Sequence, residues 1–407
     1  MSSVFVGIDI GKKKHQSALM GEKGETLART LSFTNSLAGF QSLLKQLDPW
    51  SKEDTLIGLE ATGHYWLDLY TRLVDTGYSV VVINPLQTDG IRNMYVRKTK
   101  NDRCDAVIIA DVLRFGRFRE SSVPEEDIAQ MKALSRLRTG MVQSMSNVKR
   151  QIVAILDRLF PEFEACFNDI FSKSSMAVLD EFADPEELAR CPLEELAELL
   201  FEKSNGRLGA AKAEHLKETA SRSFGTGYAK RSMKFELKLL LEQVRFTQEQ
   251  ILEIEVKLKE LMKDHQLITT IPGISDILGS AILGEIGDIS RFDNPKQLVA
   301  FAGLDPSVHQ SGNFNATSMH LSKRGSPHLR RALYIAAHVA RIHDPVLKEH
   351  YEKLINRGKH HRQAQNAVAA KLARIVFSIL YFKEPYDIEK LRSKPKESLK
   401  KSSGNGP

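Results

Sequence analysis

Residues 4–10, VFVGIDI, followed directly by GKKKH at 11–15, decide how the rest of the chain reads. An unbroken run of apolar, largely β-branched residues describes a buried strand, and Gly11 closes it. Asp9 stands at the end of that strand. Residues 15–20 and 26–33 are placed to pair with it as a meander. TLIGLE (55–60) and YSVVVI (78–83) are further strands, and Tyr65 to Val74 carries apolar residues at helical spacing between them. Strands alternating with helices predict an α/β domain with some parallel pairing, ending near residues 122–124.

Working outward, the pattern turns helical. Ile128, Met131, Leu134, Met141, Met145, Val148, Ile152 and Leu159 recur at three, four or seven residues until Pro161 stops the run. An acidic stretch follows, with DEFADPEELAR and PLEELAELL, within an insert of about 162–228. A second long helix is predicted from Ala229 to Lys263. Leu237, Val244, Ile251 and Leu258 fall seven apart, and Leu240, Ile254 and Leu261 fill the partner positions around Thr247. That is an a/d seam, and it predicts coiled-coil pairing within or between chains. From Ile268 a Pro-Gly turn precedes an apolar helix. Between His320 and Gln363 ten Lys/Arg stand against three acids. The tail after Pro385, rich in Lys, Ser and Pro, is expected to be disordered.

The chain has 407 residues, enough for two or three domains with a sizeable core. Its net charge of +7 is compatible with nucleic acid without requiring it. The three cysteines (Cys104, Cys166, Cys191) are far apart and have neither zinc-ligand spacing nor a disulfide framework, so a reduced, cytoplasmic setting is expected. The opening MSSVFVGIDIG is not a signal peptide, and no apolar run of about 18 residues predicts a membrane span.

Four carboxylates attract attention. Asp9 and Glu60 end predicted strands, where side chains project past a sheet edge. Asp102 and Asp105, in KNDRCDAVIIADVLR, open a helix and share one face at a spacing of three. Each has an ordinary reading as well: Asp9 as polar strand termination, Asp102 as an N-cap, Asp105 as a helix-dipole partner. Glu60, directly after a buried strand, needs a partner or a metal. Converging on one point, the four would repel unless they shared a divalent cation, and such ions serve phosphodiester chemistry. The strand-Asp-x-Gly opening also suits sugar kinases and actin-like ATPases, but the second Gly-rich phosphate loop they need is not found.

The order of these segments resembles the insertion-sequence-110 family of DEDD transposases, related to pilin-inversion site-specific recombinases. GIDIGKKKH is similar to its opening strand, GLEATGHYW to its Glu motif, KNDRCDAVIIADVLR to its Lys-x-Asp-x-x-Asp-Ala motif, and LSRLRTGMVQSMSNVKRQIVAILDRLFPEF to its basic helix. IPGISDILGSAILGEIGDISRFDNPKQLVAFAGLDPSVHQSGNF and LSKRGSPHLRRALYIAA resemble its second domain. The resemblance covers nearly the whole chain except the insert and the tail. It implies an α/β plus α-helical protein: an N-terminal RuvC-like (RNase H-like) domain at 1–123, a helical and coiled-coil segment at 124–266, a C-terminal transposase domain at 267–385 and a basic tail at 386–407. It further implies Mg²⁺ or Mn²⁺ on Asp9, Glu60, Asp102 and Asp105, donor and target DNA as substrates, a bridge RNA as guide, and a homo-oligomer, dimer or tetramer, working in the bacterial cytoplasm.

By the same resemblance the nucleophile is Ser311, in PSVHQSGNF. From the residues alone Ser-Gly is a common turn dipeptide, and Ser307, Ser318 and Ser322 compete with it. Lys98, Lys100, Lys323, Arg324, Arg330 and Arg331 read as nucleic-acid contacts, with Arg330 and Arg331 pointing in different directions on one helix. The turn at Pro272–Ser275 reads either as a phosphate-holding hairpin or as a plain helix start. His309, His360 and His361 have no metal-ligand partners at useful spacing. The functional expectation is a transposase that cuts and rejoins DNA through a metal-assisted serine. The alternative is a RuvC-like metal nuclease or Holliday-junction resolvase with no covalent intermediate.

Overall fold

The computed structural model describes residues 3–60, 65–83, 102–116, 124–225, 227–305, 310–311, 314–315 and 321–392, with backbone only at 102–104, 310–311, 314–315 and 391–392. The chain packs as two compact units, Met1–Glu125 with Gly287–Arg291, and Glu126–Ile286 with Phe292–Pro407.

In the first unit β1 (Val4–Asp9), β2 (Lys14–Gly21) and β3 (Thr26–Thr34) form the expected antiparallel meander. After α1 (Leu37–Leu47), β4 (Thr55–Glu60) lies parallel to β1. After α2 (Trp66–Asp75), β5 (Ser79–Ile83) lies parallel to β4. The sheet order is β3-β2-β1-β4-β5. Alternation along the strands divides the core in two. Val4, Val6, Ile8, Ile57 and Leu59 face Leu43 and Leu47 of α1 and Leu69 and Leu73 of α2. Phe5, Leu56, Val81 and Ile83 face Ile108, Ile109, Val112 and Leu113 of α3 (Asp102–Phe115). The sequence reading passed over α1. Its start is set by Ser36, whose hydroxyl accepts from the Gly39 amide at 3.2 Å.

The second unit is built on α4 (Glu126–Leu159), which ends two residues before Pro161 as expected. Five short helices follow: α5 (Phe163–Cys166), α6 (Lys173–Glu181), α7 (Pro185–Arg190), α8 (Leu193–Lys203) and α9 (Ala210–Ser221). Then comes α10 (Lys230–Leu261). Leu237, Val244, Ile251, Ile254 and Leu258 are buried. Val148 to Leu159 share a core with Met233 to Val244, and Arg138 of α4 bonds Glu255 of α10, so α4 and α10 run antiparallel with that seam between them. The acidic insert shares this core: Phe163, Leu179, Leu188, Leu196 and Leu216 pack with Ile152, Leu237 and Leu241. Its acids also hold α10 from outside, through Arg245–Asp180, Lys234–Glu187 and Lys230–Asp184 pairs at 2.5–2.8 Å.

A 3₁₀ stretch (Met262–Thr270) leads to α11 (Asp276–Ile286), a 3₁₀ turn (Ile289–Arg291) and α12 (Pro295–Phe301). The two-residue strands β6 (Gln310–Ser311) and β7 (Phe314–Asn315) pair as a hairpin. Then α13 (Pro327–His343), α14 (Pro345–Asn356), α15 (His361–Phe382) and α16 (Ile388–Arg392) complete the chain. Three of these starts share one chemistry: Asn294, Ser326 and Asp344 cap the first turn and proline follows each at N1. Alanines 332, 336, 337 and 340 let α13 approach its neighbours closely. The tail expected to be disordered from 386 begins with order. The Tyr386 hydroxyl donates to the buried Asp344 carboxylate, and its amide to Thr270 Oγ1 at 3.0 Å. Those two bonds tie Tyr386 to the second unit just before α16, and residues 393–407 lie outside the described residues. Among the described residues no helix is long and apolar enough to cross a membrane.

Candidate active site

Asp9 and Glu60 are placed by the register of two adjacent parallel strands. Ile8 pairs with Leu59, so Asp9 and Glu60 stand one step further on, side by side at the carboxyl ends of β1 and β4. Neighbouring strands lie about 4.8 Å apart, which puts two carboxylates within reach of a common ligand. Glu60 is buried, at 8% exposed. Phe5, Gly7 and Asp9 share one face of β1, and Leu56, Gly58 and Glu60 the same face of β4. That is the face covered by α3.

What brings α3 close is the absence of side chains. A Cβ on Gly7 would lie 2.1 Å from the Ala106 carbonyl oxygen and 2.3 Å from the Ala110 nitrogen, and one on Gly58 would lie 2.8 Å from Leu113. The helix backbone therefore rests on β1 at Gly7. Asp105 immediately precedes the contacting Ala106, and Asp9 lies two residues beyond Gly7. Asp102 begins the helix. Further along α3, Asp111 is buried and held by Arg114 at 2.6 Å, an internal pair that the sequence reading did not single out. Among the described residues no three His, Cys, Asp or Glu side chains already form a group able to hold a metal ion. The donor set is nonetheless all oxygen, the chemistry that suits Mg²⁺ or Mn²⁺.

Ser311 ends β6 and pairs with Phe314 of β7. Ser307, His309 and Ser318 lie outside the described residues, as do Lys98 and Lys100. The two stems of this loop are locked together. Ser322 donates to the Asp305 carboxylate at 2.5 Å, and its amide to the Asp305 carbonyl at 2.9 Å. Gly303, at φ +65°, sits so tightly that a Cβ would come within 2.5 Å of Arg330 Nη1 and 2.9 Å of Lys323 Cα. A Cβ on Gly325 would lie 1.9 Å from the Phe301 carbonyl oxygen. Ser322, read from sequence as a competing nucleophile, is engaged in this lock.

The stem is anchored by a network that sequence reading missed. Glu285, at the end of α11 and 4% exposed, accepts two bonds from Arg136 of α4, at 2.6 and 3.1 Å. It accepts a third from Ser326 Oγ at 2.7 Å. Ser326 in turn caps α13 by accepting from the Leu329 amide at 3.1 Å. Burial alone would raise the Glu285 carboxyl, but the Arg136 and Ser326 bonds and the charges of Arg136 and Lys132 hold it below its ordinary value. The only sequence signal was a carboxylate inside an apolar helix, GSAILGEI, which has to be paired when buried.

The basic residues divide. Arg330 is half-buried and donates to the Ala302 carbonyl at 3.2 Å, so its guanidinium is turned to the stem. Lys323, Arg324 and Arg331 are exposed. Arg331 and His328 line a shallow groove between α4, α11 and α13, with Arg136, Arg138 and Ile335. At the Pro272–Ser275 turn, Gly273 (φ +89°) packs on α13, where a Cβ would lie 2.5 Å from the Ala340 nitrogen. His360 caps α15, and His361 shares a 2.6 Å bond with the Tyr351 hydroxyl.

Two family models match this chain. One, for the DEDD transposases of IS110 elements and described as a transposase, covers residues 6–161. The other, described as transposase of the IS116/IS110/IS902 family, covers residues 265–352. The chain belongs to the IS110 family of transposases, enzymes that cut and rejoin DNA. Similar proteins span nearly its whole length. An uncharacterized protein of insertion element IS116 from Streptomyces clavuligerus is 23% identical over 93% of this chain and 94% of its own. A pilin gene-inverting protein from Moraxella bovis is 22% identical over 95% and 98%. The transposase of insertion sequence element IS1111A from Coxiella burnetii is 27% identical over 94% and 91%.

Proposed function

We propose that this transposase works with two halves of one composite site: the carboxylates Asp9, Glu60, Asp102 and Asp105 in an RNase H-like (RuvC-like) domain, and Ser311 as the nucleophile. The observation that carries the first half is the side-by-side placement of Asp9 and Glu60 on the face that α3 covers, with α3 drawn onto the sheet at Gly7. The β3-β2-β1-β4-β5 order, with β2 antiparallel to its neighbours, supports the RNase H-like assignment. When bound, Mg²⁺ or Mn²⁺ polarises the scissile phosphate and favours the deprotonated nucleophile. The four carboxylates would hold the ion, which in turn would offset their repulsion of the reacting phosphate. Lys323, Arg324 and Arg331, with Lys98 and Lys100, hold the DNA backbone.

Ser311 Oγ attacks phosphorus and gives up its proton. The bond to the neighbouring nucleotide breaks, and the released hydroxyl takes up a proton. The phosphoserine ester keeps the energy of the broken bond, so a second strand's hydroxyl displaces the serine without ATP. Ser311 and the carboxylates belong to different units, so the reaction requires them to meet within one chain or between copies. A homo-oligomer, dimer or tetramer, is supported by Phe235, Leu239 and Phe246, which lie exposed along one side of α10, and the mass of the protein in solution tests it.

The experiment is to trap labelled DNA on the protein. Ser311→Ala is expected to bind DNA and form no adduct. Undiminished adducts in that variant overturn the serine assignment, and efficient cleavage without any adduct in the unaltered protein establishes the resolvase-like alternative. Guidance by a bridge RNA belongs to the same proposal. Sequencing of copurifying nucleic acid is expected to return one defined RNA from the flanks of the gene, and its absence removes that part.

A further inference from the structure

The second unit carries a cationic cluster on α14 and α15, helices other than the α12 and α13 that flank the serine loop in the chain. On α14, His350 and Lys353 share one face at a spacing of three, and Arg357, four residues further on, is the C-cap of the helix. On α15, Lys371 and Arg374 recur at three. The charges of Lys353, Arg357, Lys371 and Arg374 all fall on His350, which is half-buried. Lys353 is answered by Glu349 at 2.5 Å, and Lys371 feels Asp344 and Glu349. Arg357 and Arg374 are exposed and have no ion pair or side-chain hydrogen bond among the described residues. Four cations against two acids leave the cluster net positive. Burial, with the four cations, holds the imidazole below its ordinary value, so it stands as a neutral hydrogen-bond donor. Like charges gathered on one surface are costly unless an anion joins them.

We propose that this α14–α15 face is a second docking site for the phosphate backbone of duplex DNA, with Arg357 and Arg374 as its charged contacts. His350 to Arg357 spans about 10 Å of helix, roughly three base pairs along a duplex. The one aromatic ring among the five residues, the His350 imidazole, is half-buried, so these residues present no exposed stacking platform of the kind that single strands and RNA loops require. Charge contact without base contact positions a duplex and reads no sequence. The proposal rests on DNA being the substrate and not on the assignment of Ser311 or the carboxylates.

The test is fluorescence anisotropy of the full chain with a labelled duplex across a salt series. The double variant Arg357→Gln/Arg374→Gln removes two cations from exposed positions. Its log Kd against log [salt] slope is expected to fall by about 1.8, with affinity near physiological salt down about tenfold. Lys348→Gln, on another side of α14, serves as control and is expected to stay within twofold. If the unaltered protein binds no duplex, both the substrate and the site are refuted. If it binds and the double variant keeps affinity and slope, the site alone is refuted. Weakened binding of a hairpin RNA with duplex binding intact also overturns the proposal. Arg374→Glu, which also lowers the charge by two, is expected to weaken duplex binding to a similar extent at an unchanged melting temperature, and keeps the result independent of folding.

Discussion

Replacing Gly7 by alanine separates the geometry of the carboxylates from their chemistry. The added methyl would begin 2.1 Å from the Ala106 carbonyl oxygen and 2.3 Å from the Ala110 nitrogen, against about 3.4 Å for ordinary contact. Both obstacles are helix backbone, so no side chain can swing aside. Relief requires α3 to lift by about 1.3 Å, the gap between 2.1 and 3.4 Å, and overpacking of this kind costs about 1–3 kcal/mol. The lift begins one residue from Asp105 and moves it away from Asp9 and Glu60. A misplacement of about 1 Å lowers rate by roughly 10²-fold. The assay pairs Mg²⁺-dependent strand cleavage with a melting curve on the same preparation. The expected result is a folded protein, modestly less stable, with cleavage down by about two orders of magnitude. Cleavage at the native rate would refute the claim that α3 sets the site.

Other perturbations have equally definite outcomes. Glu285→Ala leaves Arg136 and Ser326 without their acceptor. Because Arg136 is 46% exposed, the loss falls near the lower end for a broken buried pair, about 3 kcal/mol, read by urea denaturation. The Glu285 carboxyl is held below its ordinary 4.5, so its contribution is complete above that pH and is lost as pH falls through the lower folded value. Glu285→Gln is therefore expected to flatten stability against pH below about 4.5, and an unchanged acid limb would contradict the pairing. Gly303→Ala, which meets Lys323 Cα at 2.9 Å and must adopt φ +65°, is expected to cost about 1–3 kcal/mol and to loosen the serine loop, read as faster proteolysis near residue 310.

Much of the fold was legible because local signals agreed with the global arrangement. The VFVGIDI run, the meander after it and the paired TLIGLE and YSVVVI strands all stand where the pattern put them. The heptad seam on α10 was legible as a seam; that α4 fills it within the chain was not, since periodicity does not name a partner. The acidic insert gave no hint that its leucines and phenylalanines share a core with α4 and α10. At the site, Asp9 and Glu60 could be found at strand ends, but their adjacency depends on β1 pairing with β4 across about fifty residues of chain. Gly7 and Gly58 read as strand residues, and only the packing of α3 shows why neither carries a side chain. Glu285, Arg136 and Ser326 come from three distant segments, so no spacing rule joins them.

The proposed site requires first that Asp9 and Glu60 act together. The deciding measurement is the rate of Mg²⁺-dependent cleavage of an element-end duplex by Glu60→Gln, with Asp9→Asn alongside, each first shown to fold and to bind the duplex. A loss of about 10²–10³-fold is expected in each, with the double variant little worse than either single one, the behaviour of groups that act as a unit. Cleavage by Glu60→Gln within threefold of the unaltered protein, under the same metal and salt, would contradict it.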